Sequence, residues 1–364
     1  MLNNLTGILK DELDTPVLLI DMDIMESNIA KMARYFRTVN ADLRPHTKTH
    51  KTPILAHKQI EAGAVGITCA KLGEAEVMAA AGIKNILIAN QIVTGQKISR
   101  LVNLARYAHI MVAVDHEENI ENLSRAAQQK GVKLQVLVEV NTGMNRCGVS
   151  AGESALKLAQ KLDKAKNLDF TGLQGYEGHA VAIPDFDERK SAAEKALSLL
   201  AETKEILEKN GLQVNTVSGG GTGTYNISGQ HPVMTEIQAG SYIFMDSYYR
   251  KVLKDFDCAL TILTTVISRP NRDMVILDAG MKTVTKEFGL PEVKDIKGAE
   301  LTGLSEEHGK LDLSKSNLEL KPGDKIEIIP SHGCTTINLH DDYYAIRDGK
   351  LEAVWNIAAR GKIR

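Results

Sequence analysis

Four short stretches of this chain place chemically capable residues close together. Arg44-Pro45-His46-Thr47-Lys48-Thr49-His50-Lys51 gathers an arginine, two histidines and two lysines within eight residues. A lysine partly desolvated and flanked by positive charge loses affinity for its proton, and the neutral amine is the nucleophile of Schiff-base chemistry. The same run could equally be a solvated basic turn. Asn141-Thr142-Gly143-Met144-Asn145-Arg146-Cys147-Gly148 offers Arg146, which taken alone is a surface arginine. Ser218-Gly219-Gly220-Gly221-Thr222-Gly223-Thr224-Tyr225 has glycines that permit close backbone approach and amides that can cradle a phosphate, or that simply make a tight turn. In Pro330-Ser331-His332-Gly333-Cys334, His332 and Cys334 stand two residues apart and would project to one side of an extended segment. Imidazole plus thiolate suits Zn²⁺ with positions left for water and substrate; an exposed histidine beside a buried cysteine is the other reading of the pair.

Elements that could position these groups follow from periodicity. Eight short apolar runs alternate with amphipathic segments: Leu43–Pro45, Gly66–Ala70, Asn85–Asn90, His109–Asp115, Lys133–Val140, Phe170–Tyr176, Val214–Ser218 and Ile237–Phe244. Helices are expected over Gly73–Ala81, Glu117–Lys130 and Glu188–Lys209. Eight repeats predict a closed (β/α)8 TIM-like barrel in preference to an open doubly wound sheet. In such a barrel the active site lies after the strands, with phosphate sites commonly after strands seven and eight, so the lysine cluster and the glycine run fall on one rim. Beyond Asp257 the texture changes to β-rich runs: Ala259–Ile267, Met274–Asp278, Lys325–Ile329, Tyr343–Ile346 and Leu351–Trp355. The expected organisation is a barrel over residues 22–250, with residues 1–21 and 251–364 forming a β-rich domain; the early run Pro16–Asp21 is expected to join that C-terminal sheet.

Composition narrows the function. A net charge of −2 over 364 residues, without long runs of one sign, gives no footprint for nucleic acid or an anionic membrane. No stretch approaches the roughly 20 apolar residues of a membrane span, and no signal-peptide core is evident, so a cytoplasmic protein with a small-molecule substrate is expected. Four scattered cysteines without CxxC spacing argue against a disulfide framework.

The motifs RPHTKTHK, NTGMNRCG, GLQGYEGH and SGGGTGTY, in this order, resemble the D-threonine aldolase and D-serine dehydratase family across essentially the whole chain. That resemblance implies an alanine racemase-like barrel followed by a β-rich domain, pyridoxal 5'-phosphate as cofactor, and a homodimer with each site near the interface. It makes Lys48 the Schiff-base lysine. Arg146 would bond the cofactor's phenolic oxygen, Tyr176 would lie at the pyridine nitrogen, and Gly221, Thr222 and Gly223 would hold the phosphate. A neutral tyrosine does not keep the pyridine nitrogen protonated, so the ring is a weaker electron sink and a second group must help at the substrate's hydroxyl. The resemblance supplies that group as a divalent metal on His332 and Cys334, Zn²⁺ by ligand type with Mn²⁺ as the alternative.

Two lyase outcomes on a D-3-hydroxy amino acid follow. In a dehydratase Lys48 removes the α-proton and the metal assists hydroxide departure, giving a 2-oxo acid and ammonia. In an aldolase the 3-hydroxyl is deprotonated and the Cα–Cβ bond breaks to give glycine and an aldehyde, with His50 and His179 as candidates for that proton transfer. His-x-Cys tilts the expectation slightly toward dehydratase, whereas Asn338-Leu339-His340-Asp341 resembles the aldolase neighbourhood. An amino-acid racemase of the same fold, a non-catalytic pyridoxal-phosphate homeostasis protein and a cofactor-free metal hydrolase remain as alternatives. The second lacks a β domain, and the third leaves Lys48 and the glycine run unexplained.

Overall fold

Strands buried on both faces need aliphatic, β-branched residues in succession, and the middle barrel runs have them. Ile110–Val114 and Val136–Val140 are buried at every position. The computed structural model describes residues 6–364. It contains eight parallel barrel strands, numbered here in chain order: Asp42–Leu43, Ile67–Cys69, Asn85–Gln91, His109–Val114, Leu134–Asn141, Leu168–Gly175, Thr216–Gly219 and Glu236–Ile237. Strands two to eight follow one another in space and strand eight pairs with strand one, so the sheet curls round. A parallel bridge between His46 and Thr68 links strands one and two, reinforced by Thr47 N–H to the Thr68 carbonyl at 2.8 Å and Thr68 N–H to the Pro45 carbonyl at 2.9 Å. Because all eight run the same way, the loops after them share one rim.

The expected eighth run ends early. Only Glu236–Ile237 is strand, and Ser241–Ile243 forms a 3₁₀ turn. A Cβ at Gly240 would sit 2.7 Å from both the His46 carbonyl oxygen and Thr49 Oγ1, so the chain approaches the first loop too closely there to continue a ladder. Ile243 and Phe244 are apolar because they are buried, not because they belong to a strand. Helices Leu72–Ala80, Glu117–Lys130 and Phe186–Lys209 lie at the expected stretches. The second ends at Gly131 in the left-handed region, and Asp185 caps the third by accepting the Glu188 N–H.

The chain divides into two compact units: Met32–Gly240 with Gly361–Arg364, and the N-terminal segment to Lys31 with Ser241–Arg360. In the second unit Val17–Asp21 lies antiparallel to Leu260–Asn271 and parallel to Asp342–Arg347, which is how the early apolar run joins the C-terminal sheet. Leu13, Val17, Leu19, Leu263, Ile346 and Leu351 pack together there. Strands Met274–Leu277, Lys325–Ile329 and Lys350–Asn356 complete the expected set. Glu292–Val293, Glu300–Leu304 and Gly309–Asp312 are strands that the pattern did not reveal, being short and mixed with exposed or charged positions. Among the described residues no helix is long and apolar enough to cross a membrane.

Candidate active site

The basic run after strand one is mostly committed to structure. Arg44 is buried, with Nε on Glu236 at 2.8 Å and Nη1 on Asn85 Oδ1 at 2.9 Å. Lys51 is buried in an ion pair with Glu74, whose other oxygen accepts the Ala70 N–H at 2.8 Å. His46 is buried; burial, then Lys48 and Lys51, push its pKa well below the usual histidine value. His50 is fully buried, with Nε2 on Gln59 at 3.1 Å and Nδ1 accepting the Thr52 N–H at 3.1 Å. Burial drives its pKa down to about 4 against those two bonds, so the imidazole stays neutral and its tautomer is fixed. Lys48 stands half-buried amid these groups, its backbone N–H directed at His46 Nδ1 from 3.4 Å.

The loops after strands five, six and seven bring three further candidates together. Asn141 Oδ1 accepts the Gly143 and Asn145 N–H groups at 3.0 and 3.1 Å, folding the loop so that the Arg146 guanidinium carbon lies 5.8 Å from the centre of the Tyr176 ring. A Cβ at Gly221 would come within 3.3 Å of the Tyr176 hydroxyl, so the glycine turn meets the far end of the same ring. Much of the glycine content has a packing cause. A Cβ at Gly223 would fall 1.8 Å from the Val181 carbonyl oxygen, and one at Gly219 would fall 1.9 Å from that of Gly175. Glu177, buried and next to Tyr176, holds the turn by accepting the Gly220 N–H at 3.3 Å and the Thr224 hydroxyl at 2.6 Å, with Ser228 as a third donor. The Gly221 N–H lies 3.3 Å from Thr224 Oγ1 within the same turn. His179 is exposed beside the strand-five loop; a Cβ at Gly143 would lie 3.2 Å from its Cε1.

In the other unit, His332 and Cys334 do not share an extended segment. His332 is the N-cap of the short helix Gly333–Ile337, and Cys334 sits in its first turn. Their side chains nevertheless meet. Burial works against charge on His332, but the Cys334 sulfur and the Asp246 carboxylate outweigh it and push the pKa up to about 10. Asp246, 1% exposed, takes His332 Nδ1 at 2.9 Å on one oxygen together with the Gly333 N–H at 3.2 Å, and the Tyr249 N–H at 2.7 Å on the other. Phe288 stands edge-on to the imidazole at 5.0 Å. Among the described residues no three His, Cys, Asp or Glu side chains surround one metal position.

Residues 20–248 match the family described as alanine racemase, N-terminal domain, and residues 259–346 the putative serine dehydratase domain. A D-threonine aldolase of Arthrobacter is 39% identical, over 96% of this chain and 93% of that protein. The crystal structure of D-threonine aldolase from Filomicrobium marinum has 39% identity and a TM-score of 0.97, covering 99% of each chain. The chain belongs to the D-threonine aldolase and D-serine dehydratase family. A third member, the D-threo-3-hydroxyaspartate dehydratase of Delftia, is 30% identical over 93% of this chain and 96% of that protein. Solved structures of that dehydratase include a histidine-to-alanine variant and, two residues further on, a cysteine-to-alanine variant in a metal-free form; the latter has 28% identity and a TM-score of 0.89, covering 96% of this chain and 98% of that one.

For a member of this family the rim chemistry fits pyridoxal phosphate. A half-buried amine suits an aldehyde, a guanidinium over an aromatic ring suits a phenolate, and a turn that crowds that ring without a side chain suits a phosphate. The His332–Cys334 pair fits a divalent cation in a different way. Asp246 occupies Nδ1, so Nε2 is the nitrogen a cation would take, and a carboxylate on the other ring nitrogen is what orients metal-bound imidazoles. Asp246 and Glu139 are site-related residues outside the motifs, and Glu177 lies within GLQGYEGH but drew no role from it. Asp246 follows the eighth apolar run, where polar residues carry extra weight, and Glu139 interrupts the fifth.

Proposed function

We propose that this chain is a pyridoxal-phosphate- and divalent-metal-dependent lyase that splits D-3-hydroxy amino acids in the aldolase sense, D-threonine into glycine and acetaldehyde. The observation that carries the cofactor reading is that Lys48 is half-buried on the rim that also presents Arg146, Tyr176 and the glycine turn. Greater similarity to aldolases than to the Delftia dehydratase supports the aldolase outcome over the tilt drawn from Cys334.

In this reading Lys48 would hold the cofactor through its aldehyde, Arg146 would donate to its phenolic oxygen, Tyr176 would lie at the pyridine nitrogen, and Gly221, Thr222 and Gly223 would hold the phosphate. The cofactor supplies an electron sink for the bond broken at Cα. His332 Nε2 and the Cys334 thiolate would hold a divalent cation, which when bound would supply Lewis acidity toward a substrate hydroxyl. Asp246 keeps the His332 ring oriented and its Nδ1 proton in place. His179, exposed at the rim, takes the hydroxyl proton; His50, with both nitrogens bonded and its pKa near 4, has no part in proton transfer. The dehydratase outcome is the second reading, favoured by the His-x-Cys pair, with Lys48 as the base at Cα.

Incubation of the cofactor- and metal-loaded protein with D-threonine and D-serine, with separate assays for glycine, acetaldehyde, ammonia and 2-oxo acid, distinguishes the outcomes. Glycine and acetaldehyde in equal amounts are expected. Ammonia with 2-oxo acid would transfer the assignment to dehydratase, and no product from either substrate would remove the lyase reading.

A further inference from the structure

Three buried carboxylates of the barrel unit are satisfied in two different ways. Glu74 and Glu236 each face a cation, Lys51 and Arg44. Glu177, 1% exposed, faces three uncharged donors instead, and all three lie within residues 220–228, the segment that carries the glycine turn. Oε2 accepts the Gly220 N–H at 3.3 Å, and Oε1 accepts the Thr224 hydroxyl at 2.6 Å together with that of Ser228. Thr224 Oγ1 in turn takes the Gly221 N–H from 3.3 Å, so one carboxylate governs two successive amides, one directly and one through a hydroxyl. Thr224 and Ser228 are both fully buried. Apolar residues at these three positions would fill the space without the cost of burying polar groups, so packing alone does not explain the arrangement.

The same residue is one peptide bond from Tyr176, whose own backbone is fixed: its carbonyl accepts the Thr142 hydroxyl at 3.1 Å. Two glycines close on the Tyr176 ring. A Cβ at Gly178 would stand 2.6 Å from ring Cε1, and one at Gly221 would stand 3.3 Å from Cε2 and from the hydroxyl. Gly220 has φ +74°, in the left-handed region, and a Cβ there would lie 3.0 Å from Ile237 Cγ2 on strand eight. The turn is therefore fixed by close packing on strand eight and by bonds to Glu177, and Glu177 ties it to the chain that carries the Tyr176 ring.

We propose that Glu177 is a positioning residue that holds the glycine turn at a set distance from the Tyr176 ring and so makes the rim selective for a pyridoxal that carries a phosphate. Backbone amides bind an anion well when they are already held in place, because ordering a loose turn at the moment of binding costs conformational entropy. Glu177 acts through the turn and not by touching the ligand. Its removal therefore weakens the hold on the phosphate and leaves the contacts of Lys48 and Tyr176 with the ring system as they were. The inference rests on the cofactor reading given above.

The test compares two ligands, pyridoxal 5'-phosphate and phosphate-free pyridoxal, on the wild type, Glu177→Leu and Glu177→Gln. It reads both dissociation constants by absorbance and the ³¹P resonance of the bound phosphate ester, with the melting temperature of the ligand-free protein as control. Glu177→Leu is expected to weaken pyridoxal phosphate at least about tenfold, the scale of one lost hydrogen bond to a charged group, while pyridoxal changes by less than about twofold. The ³¹P resonance should move from its wild-type position. Glu177→Gln keeps an acceptor for the Gly220 N–H and should recover most of the affinity. Equal losses for both ligands, losses that merely follow the control melting temperature, or a glutamine variant as weak as the leucine one would overturn the proposal. If Glu177→Leu does not fold, Thr224→Val, which removes the hydroxyl between Glu177 and the Gly221 N–H, is judged by the same pair of ligands. A wild type that binds pyridoxal phosphate no better than pyridoxal overturns the cofactor reading and this inference together; a wild type with that preference, matched by Glu177→Leu, overturns this inference alone.

Discussion

The barrel rim and the His332–Cys334 region use reactive residue types in opposite ways. On the rim after strand one, residues that look catalytic by type are largely fixed by their neighbours: Arg44 by Glu236 and Asn85, His50 by Gln59 and the Thr52 amide, Lys51 by Glu74. In the other unit, among the described residues, two donors meet, and a buried carboxylate that is itself anchored by two backbone amides orients one of them. A dense cluster of functional types is thus no guide to how many act, and a sparse pair can be well organised.

If that contrast is right, the two lysines of the rim respond differently to removal. Lys48→Ala should cut turnover by roughly 10³-fold or more, the scale of a catalytic group, while the melting temperature changes little. Lys51→Ala should instead destabilise the fold by about 3–5 kcal/mol, because it leaves Glu74 buried without its partner. Denaturant unfolding together with steady-state rates separates the two; equal effects of both variants would erase the distinction.

A pH series sharpens the structural role of His50. Its folded-state pKa of about 4 lies below the ordinary histidine value, so the unfolded chain binds the extra proton first as pH falls. The associated stability is fully present above about pH 6.5 and declines as pH falls toward 4, by roughly 3 kcal/mol in all. His50→Gln, which keeps an acceptor and a donor, should flatten the fall in unfolding free energy over that interval. An unchanged slope would contradict the buried neutral imidazole.

The smallest expected effect belongs to the metal region. Asp246→Asn should weaken metal binding about 10- to 100-fold, as loss of a carboxylate behind a ligating imidazole does, without loss of the yellow cofactor band. Metal content after dialysis against graded chelator measures it. Unaltered retention would mean that His332 is not a ligand or that Asp246 does not orient it.

What the sequence revealed followed from local pattern. Barrel strands are runs of aliphatic residues, so strands two to six were legible nearly end to end; the first and seventh only partly overlap the expected runs, and the eighth was overdrawn because buried apolar residues in the turn at Ser241–Ile243 imitate a strand. His332 and Cys334 were legible as a pair, but not their helical setting, since the bond that secures that turn comes from Asp246, 86 residues away. The fates of Lys51 and His50 were equally hidden, because Glu74 and Gln59 become partners only when the following helices pack. Sequence spacing shows which types are near one another; it does not show which are already occupied.

The measurement closest to the central claim is borohydride reduction of the cofactor-loaded protein followed by peptide mapping. A phosphopyridoxyl group on Lys48 and nowhere else is the expected result. Label on Lys51, or no label on a protein shown to have taken up pyridoxal phosphate, would contradict the assignment of the rim.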